Sequence, residues 1–343
     1  MAAQCNGDRR SPFCIALSGL ELSGGHDIIK AMNLMLTISL ALLAGLALLC
    51  CYPSACGQWL LRGSLRLTGF RSRRLSLPDG ELAYLEGGSG GSVMLIHGFG
   101  GDGPTSWGRV MTALAKRHHV LVPDLLWFGR SHAQGEPALL AQADALQALI
   151  LARIPGTVQL VGLSYGGFVA LELARRMPEK IARLVIMASP GMAYTAEDQQ
   201  DLLVRAQVQT AEQLFVPGDA QALARMMAMV GSPLARAPQF LLKDVWQFYY
   251  RDRAPQLRAL MQELAAGQLA HVERLSQPLA MPVAVVWGAQ DEIFPLHIGQ
   301  RLALLLQAPL VTIDGGPHVL PVVSAAQTAA ALQDILQMAA PRT

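Results

Sequence analysis

Val158-Gln159-Leu160-Val161-Gly162-Leu163-Ser164-Tyr165-Gly166-Gly167 is the stretch on which the reading of this chain turns. The run Val158–Val161 is apolar and rich in valine, as a strand buried on both faces requires. From Gly167 to Arg176 the pattern becomes helical. Between them stands a serine with glycine two positions to either side. A serine on so tight a strand-to-helix turn needs small neighbours, because the backbone is sharply bent there. Such a turn lifts the hydroxyl clear of the sheet, and the helix N-terminus behind it favours a developing oxyanion. An ordinary glycine-rich turn would carry the same pentapeptide; the strand before it and the helix after it favour a nucleophile.

Working outward, further short apolar runs recur at Val93–Ile96, Val120–Val122, Leu184–Ile186, Val283–Val286 and Leu310–Ile313. Helical stretches such as Ile298–Leu305 separate several of them. Strands alternating with helices predict an α/β fold, a mostly parallel twisted sheet covered by helices on both faces. Residues 192–276 break the alternation with helix-like sequence rich in Ala, Leu, Gln and Met, and are expected to form a helical insertion over the sheet. Within it, Leu242, Val245, Trp246 and Tyr249 fall on one helical face. Plain packing of that helix on the main domain accounts for most of them. Trp127, Trp246 and Tyr249 are also candidates for lining a substrate pocket.

A serine hydroxyl is a poor nucleophile until a base takes its proton. Of the eight histidines, His318 follows the last expected strand, where a loop can reach back over the sheet, and is the preferred base. His297 is the spare, and His118 and His119 begin a strand and read as structural. The base needs a carboxylate to hold its tautomer. Asp291 follows Val283–Val286 and fits that role, with Glu292 and Asp314 as competitors. The third element is His97-Gly98-Phe99-Gly100-Gly101. Glycines there let the backbone approach a carbonyl, so the oxyanion hole is expected from the backbone N–H groups of Phe99 and Tyr165.

The chain has 343 residues, 52% hydrophobic and 15% charged, with a formal net charge of +2. That balance excludes intrinsic disorder and gives no electrostatic case for nucleic acid. All five cysteines lie in the first 56 residues, so the main domain has no disulfide framework, thiolate nucleophile or cysteine-based metal cluster. Residues 1–30 form a lead without a convincing period. No charged side chain occurs from Ala31 to Leu61, and Leu34 to Tyr52 is long enough to span a hydrocarbon core. The expectation is a single N-terminal membrane anchor over residues 31–56, with the side of the membrane left open. A basic linker over 57–73, carrying Arg62, Arg66, Arg71 and Arg73, leads into a domain over 74–343.

Together these residues resemble the α/β-hydrolase superfamily over roughly residues 74–340. The resemblance rests on His97-Gly98-Phe99-Gly100, Pro123-Asp124, Phe128-Gly129-Arg130-Ser131, Gly162-Leu163-Ser164-Tyr165-Gly166-Gly167, Trp287-Gly288 with Asp291, and His318. Within the superfamily the chain is similar to membrane-anchored bacterial lipases and esterases and to monoacylglycerol lipases. The resemblance implies a serine hydrolase acting on esters of lipid origin, a helical lid, no metal or organic cofactor and no protein partner. Two departures stand out: Leu125-Leu126-Trp127 replaces the usual Pro-Gly pair, and Pro317 precedes His318 where glycine is usual. Carbon–carbon bond hydrolases and perhydrolases share the serine constellation, and Arg251, Arg253 and Arg258 in the insertion would suit acidic ring-cleavage products. An inactive membrane-tethered binding protein is the non-enzymatic alternative.

Overall fold

The computed structural model describes residues 29–30, 32–40, 51–266 and 278–338, in two compact units, Met1–Tyr52 and Pro53–Thr343. In the first unit, residues 32–40 are helical with exposed side chains. Most of the lead, residues 41–50 of the expected anchor and residues 267–277 of the expected insertion lie outside the described residues. Among the described residues, no helix is long and apolar enough to cross a membrane.

The second unit opens with α1 (Pro53–Leu67), followed by β1 (Arg71–Leu77), β2 (Gly80–Gly87) and β3 (Gly91–Ile96). Then come α2 (Gly103–Leu114), β4 (His118–Pro123), β5 (His132–Ala133), α3 (Leu139–Arg153), β6 (Val158–Leu163), α4 (Tyr165–Arg176) and β7 (Ile181–Met187). Helices α5 (Ala196–Ala206), α6 (Ala211–Phe215), α7 (Ala220–Met229), α8 (Gln239–Trp246) and α9 (Ala254–Ala266) precede β8 (Val283–Gly288). The remaining elements are α10 (Leu296–Leu305), β9 (Leu310–Ile313), α11 (Leu320–Val323) and α12 (Ala325–Gln337).

The sheet order is β1-β2-β4-β3-β6-β7-β8-β9, with β5 beside β2. Strands β3, β4 and β6 to β9 pair in parallel and contain all six expected apolar runs. The antiparallel edge of β1, β2 and β5 is an addition to the predicted sheet. Because side chains alternate along a strand, Met94 and Ile96 of β3 face one core with Leu146 of α3 and Val169 of α4. Val93 and Leu95 face a second core with Trp107 of α2 and Leu332 of α12. Each of these fully buried aliphatic side chains contributes about 1.5–3 kcal/mol, which is why the parallel strands read as unbroken hydrophobic runs.

The structure departs from the expected segment bounds at two places. Residues 57–73 are not a linker: they form most of α1 and the start of β1, and Leu65 and Phe70 are buried in the second core. The four arginines of that span disguise the few apolar residues that face inward. The expected anchor also runs too far, since α1 starts at Pro53 and belongs to the second unit. In the insertion, a π-helical turn over Gln247–Arg251 adds a residue to the repeat after α8. Tyr250 therefore goes into the core at 2% exposure, one position beyond the face that a regular 3.6-residue period assigns.

Candidate active site

Ser164 stands between β6 and α4 with φ +51° and ψ −119°. A non-glycine residue there is strained by about 1–3 kcal/mol. Its N–H donates to Met187 O at 2.9 Å and its carbonyl accepts from Gly167 N–H at 2.8 Å, which holds the turn in place. Close approach dictates the flanking glycines. A Cβ on residue 162 would lie 2.4 Å from Gly166 O, and one on residue 166 would lie 2.5 Å from His97 O.

The structure brings the three polar side chains singled out from the sequence into one hydrogen-bonded chain. Ser164 Oγ lies 3.0 Å from His318 Nε2, and His318 Nδ1 lies 2.8 Å from Asp291 Oδ2. The other carboxylate oxygen, Oδ1, accepts the N–H groups of Ile293 and Phe294, both at 2.9 Å. Gln290 N–H donates to Gly316 O at 2.9 Å, tying the acid's loop after β8 to the histidine's loop after β9. His318 and Asp291 are both 4% exposed, so water is largely excluded from the chain. The competitors lie elsewhere. His297 is 3.4 Å from Asp198, a carboxylate already held by Arg301, and Glu292 and Asp314 are exposed.

Phe99 and Tyr165 line the cavity floor beside Ser164. Tyr165 is the first residue of α4, so its N–H has no partner within the helix. The loop that carries Phe99 is tethered on several sides. His97 Nε2 accepts Leu125 N–H at 2.9 Å and Nδ1 donates to Gly98 O at 2.7 Å. Those two bonds define a neutral imidazole, and burial holds its pKa below the ordinary value. Tyr250 Oη donates to Gly100 O at 3.2 Å. Asp102 caps α2, accepting Thr105 N–H at 2.8 Å, and its second oxygen accepts Gln58 Nε2 at 2.6 Å. Asp124, buried below the loop, accepts Gly103 N–H at 2.9 Å; burial and the neighbouring Asp102 raise its pKa. Nothing in the sequence marks Gln58 or Asp102 as tethers of this loop.

Two cavities meet at Ser164. One, about 830 Å³ with its mouth included, is lined by Phe168, Tyr194, Leu202, Phe215, Met261 and Leu264 besides Ser164 and Phe99. The other runs under α1 and α7 and includes His318, Met227, Val245, Tyr249 and Tyr250. Tyr249 is thus near the site, where its hydroxyl donates to Asp102 Oδ2 at 3.3 Å. Trp127 and Trp246 line neither cavity. The indole N–H of Trp127 donates to Ala133 O at 3.1 Å, and that of Trp246 to Pro217 O at 2.8 Å, so both rings serve packing.

Fold and serine turn together define an α/β hydrolase. Residues 91–324 match the α/β-hydrolase fold family, and the chain belongs to that family. It is 32% identical over 219 residues to a pimeloyl-[acyl-carrier protein] methyl ester esterase of Chromobacterium violaceum, covering 63% of this chain and 82% of the relative. It is 30% identical over 257 residues to a 2-hydroxymuconate semialdehyde hydrolase of a Pseudomonas species, covering 73% and 88%. Among solved structures, a bacterial membrane phospholipase A superposes with a TM-score of 0.70 at 26% identity, over 90% of this chain and 98% of the other. A putative lipase from Acinetobacter baumannii gives 0.70 at 24% identity, over 81% and 95%.

Proposed function

We propose that the chain is a serine esterase that hydrolyses carboxylic esters of lipid origin. The observation that carries this reading is the Ser164–His318–Asp291 hydrogen-bonded chain opening onto an apolar cavity. Ser164 Oγ attacks the ester carbonyl while His318 Nε2 takes its proton. The tetrahedral oxyanion is held by the N–H groups of Phe99 and Tyr165. Asp291 keeps the His318 proton on Nδ1 and stabilises the imidazolium. His318 then returns the proton to the leaving alcohol, and an acyl-enzyme remains on Ser164. Water, deprotonated by His318, releases the acid. The acyl chain occupies the cavity between Phe215 and Leu264.

Two further observations support a lipid ester: the apolar lining, and the similarity to a membrane phospholipase A. The uncharged stretch from Ala31 to Tyr52 is proposed to tether the enzyme to the membrane that supplies such esters. Similarity to a semialdehyde hydrolase favours carbon–carbon cleavage as the second reading. Its expected arginines are engaged away from the cavities. Arg253 donates to Phe248 O and Gly129 O, Arg251 pairs with Asp252, and Arg258 pairs with Glu212.

Ser164→Ala is expected to abolish hydrolysis of p-nitrophenyl esters and labelling by a fluorophosphonate; undiminished turnover would refute the assignment. A panel of acyl esters against a ring-cleavage product separates the two readings.

A further inference from the structure

Away from Ser164, α1 and β1 enclose an open groove walled by Trp59, Arg62, Arg66, Arg71, Arg73 and Arg130. Phe70 and Leu85, both buried, give it an apolar floor, and no carboxylate lines it. The groove shares no lining residue with the two cavities at Ser164.

The acids around it are already engaged. Asp124 pairs with Arg62 at 3.3 Å, Glu86 pairs with Arg73, His119 and Arg153, and Glu81 pairs with Arg74. Among the described residues, Arg66, Arg71 and Arg130 have no carboxylate at ion-pair distance. Burial and the neighbouring Arg62 depress the pKa of the Arg130 guanidinium, outweighing the opposite pull of Asp124 and Asp102. Crowded like charge of this kind is relieved by an anion.

Beside the groove, α1 turns an apolar edge outward, with Trp59, Leu60 and Leu67 at 73%, 54% and 91% exposure. Tryptophan and leucine next to arginines suit the boundary between headgroups and acyl chains.

We infer that this groove is a headgroup site for an anionic phospholipid in a membrane surface. Arg66, Arg71 and Arg130 hold the phosphate, and Trp59, Leu60 and Leu67 enter the interface. The planar guanidinium presents paired donors that match phosphate oxygens. A soluble acidic protein would neutralise the arginines but would leave Trp59 and Leu67 in water. The inference goes beyond the esterase reading and does not depend on it.

Co-sedimentation of the full chain with vesicles tests it. Pure phosphatidylcholine vesicles measure what the uncharged N-terminal stretch contributes, and vesicles also containing phosphatidylglycerol measure what the groove adds. The expected result is a salt-sensitive preference for the anionic vesicles. Each arginine near an anionic surface contributes about fivefold, so Arg66→Gln, Arg71→Gln and Arg130→Gln combined should lower that partition by roughly 100-fold. Partition into phosphatidylcholine, melting temperature and hydrolysis of a short soluble ester should stay unchanged. The single exposed variant Arg71→Glu should lower the preference independently. Equal partition of the native chain into both vesicles, or a preference that survives the triple substitution, would overturn the inference. So would saturation by inorganic phosphate or an acidic protein without any vesicle preference.

Discussion

Asp291→Asn tests the orienting role of the carboxylate with almost no change in volume. Asp291 Oδ1 accepts two backbone N–H groups at 2.9 Å, while Oδ2 faces His318 Nδ1 at 2.8 Å. In the asparagine variant the amide oxygen stays on those two N–H groups. Turning the amide would set its NH2 against two buried donors, at about 1–3 kcal/mol each. The NH2 therefore faces His318 Nδ1, which must then accept, and the imidazole proton moves to Nε2. There it points at Ser164 Oγ, 3.0 Å away, and the base is blocked. The same exchange in the serine-protease triad lowers kcat by about 10⁴. A fall of that order, about 5.4 kcal/mol, is expected here. Melting temperature should hardly move, because both Oδ1 bonds persist. Initial rates on a p-nitrophenyl ester, with thermal melting as control, provide the assay. A folded variant retaining more than about a tenth of native kcat would refute the orienting role.

Three further outcomes are expected. Gly166→Ala places a Cβ 2.5 Å from His97 O and 2.6 Å from Ile96 O, so β3 and α4 must part; a loss of about 3 kcal/mol in urea unfolding is expected, and native stability would contradict the close approach. Leu264→Trp fills the apolar cavity: loss of two methylene contacts, about 1.6 kcal/mol, should cut kcat/KM for long acyl esters more than tenfold while sparing acetyl esters, and uniform loss would place the acyl chain elsewhere. His97 is held neutral with its pKa below the ordinary 6.5. The unfolded chain therefore binds more protons there, and its contribution to stability is present above pH 6.5 and lost as pH falls below it. Relative to His97→Asn, the native chain should lose melting temperature more steeply between pH 6.5 and 5, and parallel curves would reject the assignment.

The candidate site was legible where chemistry and chain order coincide. Ser164, Asp291 and His318 each follow a strand of the parallel sheet, and buried parallel strands announce themselves as apolar runs. The pocket was less legible. A tryptophan in a sequence does not reveal whether its ring faces a cavity or satisfies its N–H on a nearby carbonyl, as Trp127 and Trp246 do. Tyr249 and Tyr250 both lie in a π-helical turn that shifts the helical period by one residue, and no periodicity argument anticipates that shift. The edge strands β1 and β2 hid for another reason: arginines fill exposed positions of β1 and pair across to half-buried glutamates of β2, as Arg74 does with Glu81.

Gln58 shows why α1 belongs with the second unit rather than with a tether. Its side-chain amide reaches Asp102, 44 positions away, and Tyr249, 191 positions away. Contacts at such separations leave no local signature, so a buried glutamine in a basic stretch reads as solvated. In the fold it joins α1 to the insertion and to the cap of α2, at the end of the glycine loop that carries Phe99. That loop is thus held by Asp102 from α1, by Tyr250 on Gly100 O, and by His97 on Leu125 N–H. An oxyanion hole works only if its donors are fixed before the charge develops. Glycines give the loop its close approach but no stiffness of their own, so these three polar tethers, drawn from three distant parts of the chain, supply the rigidity.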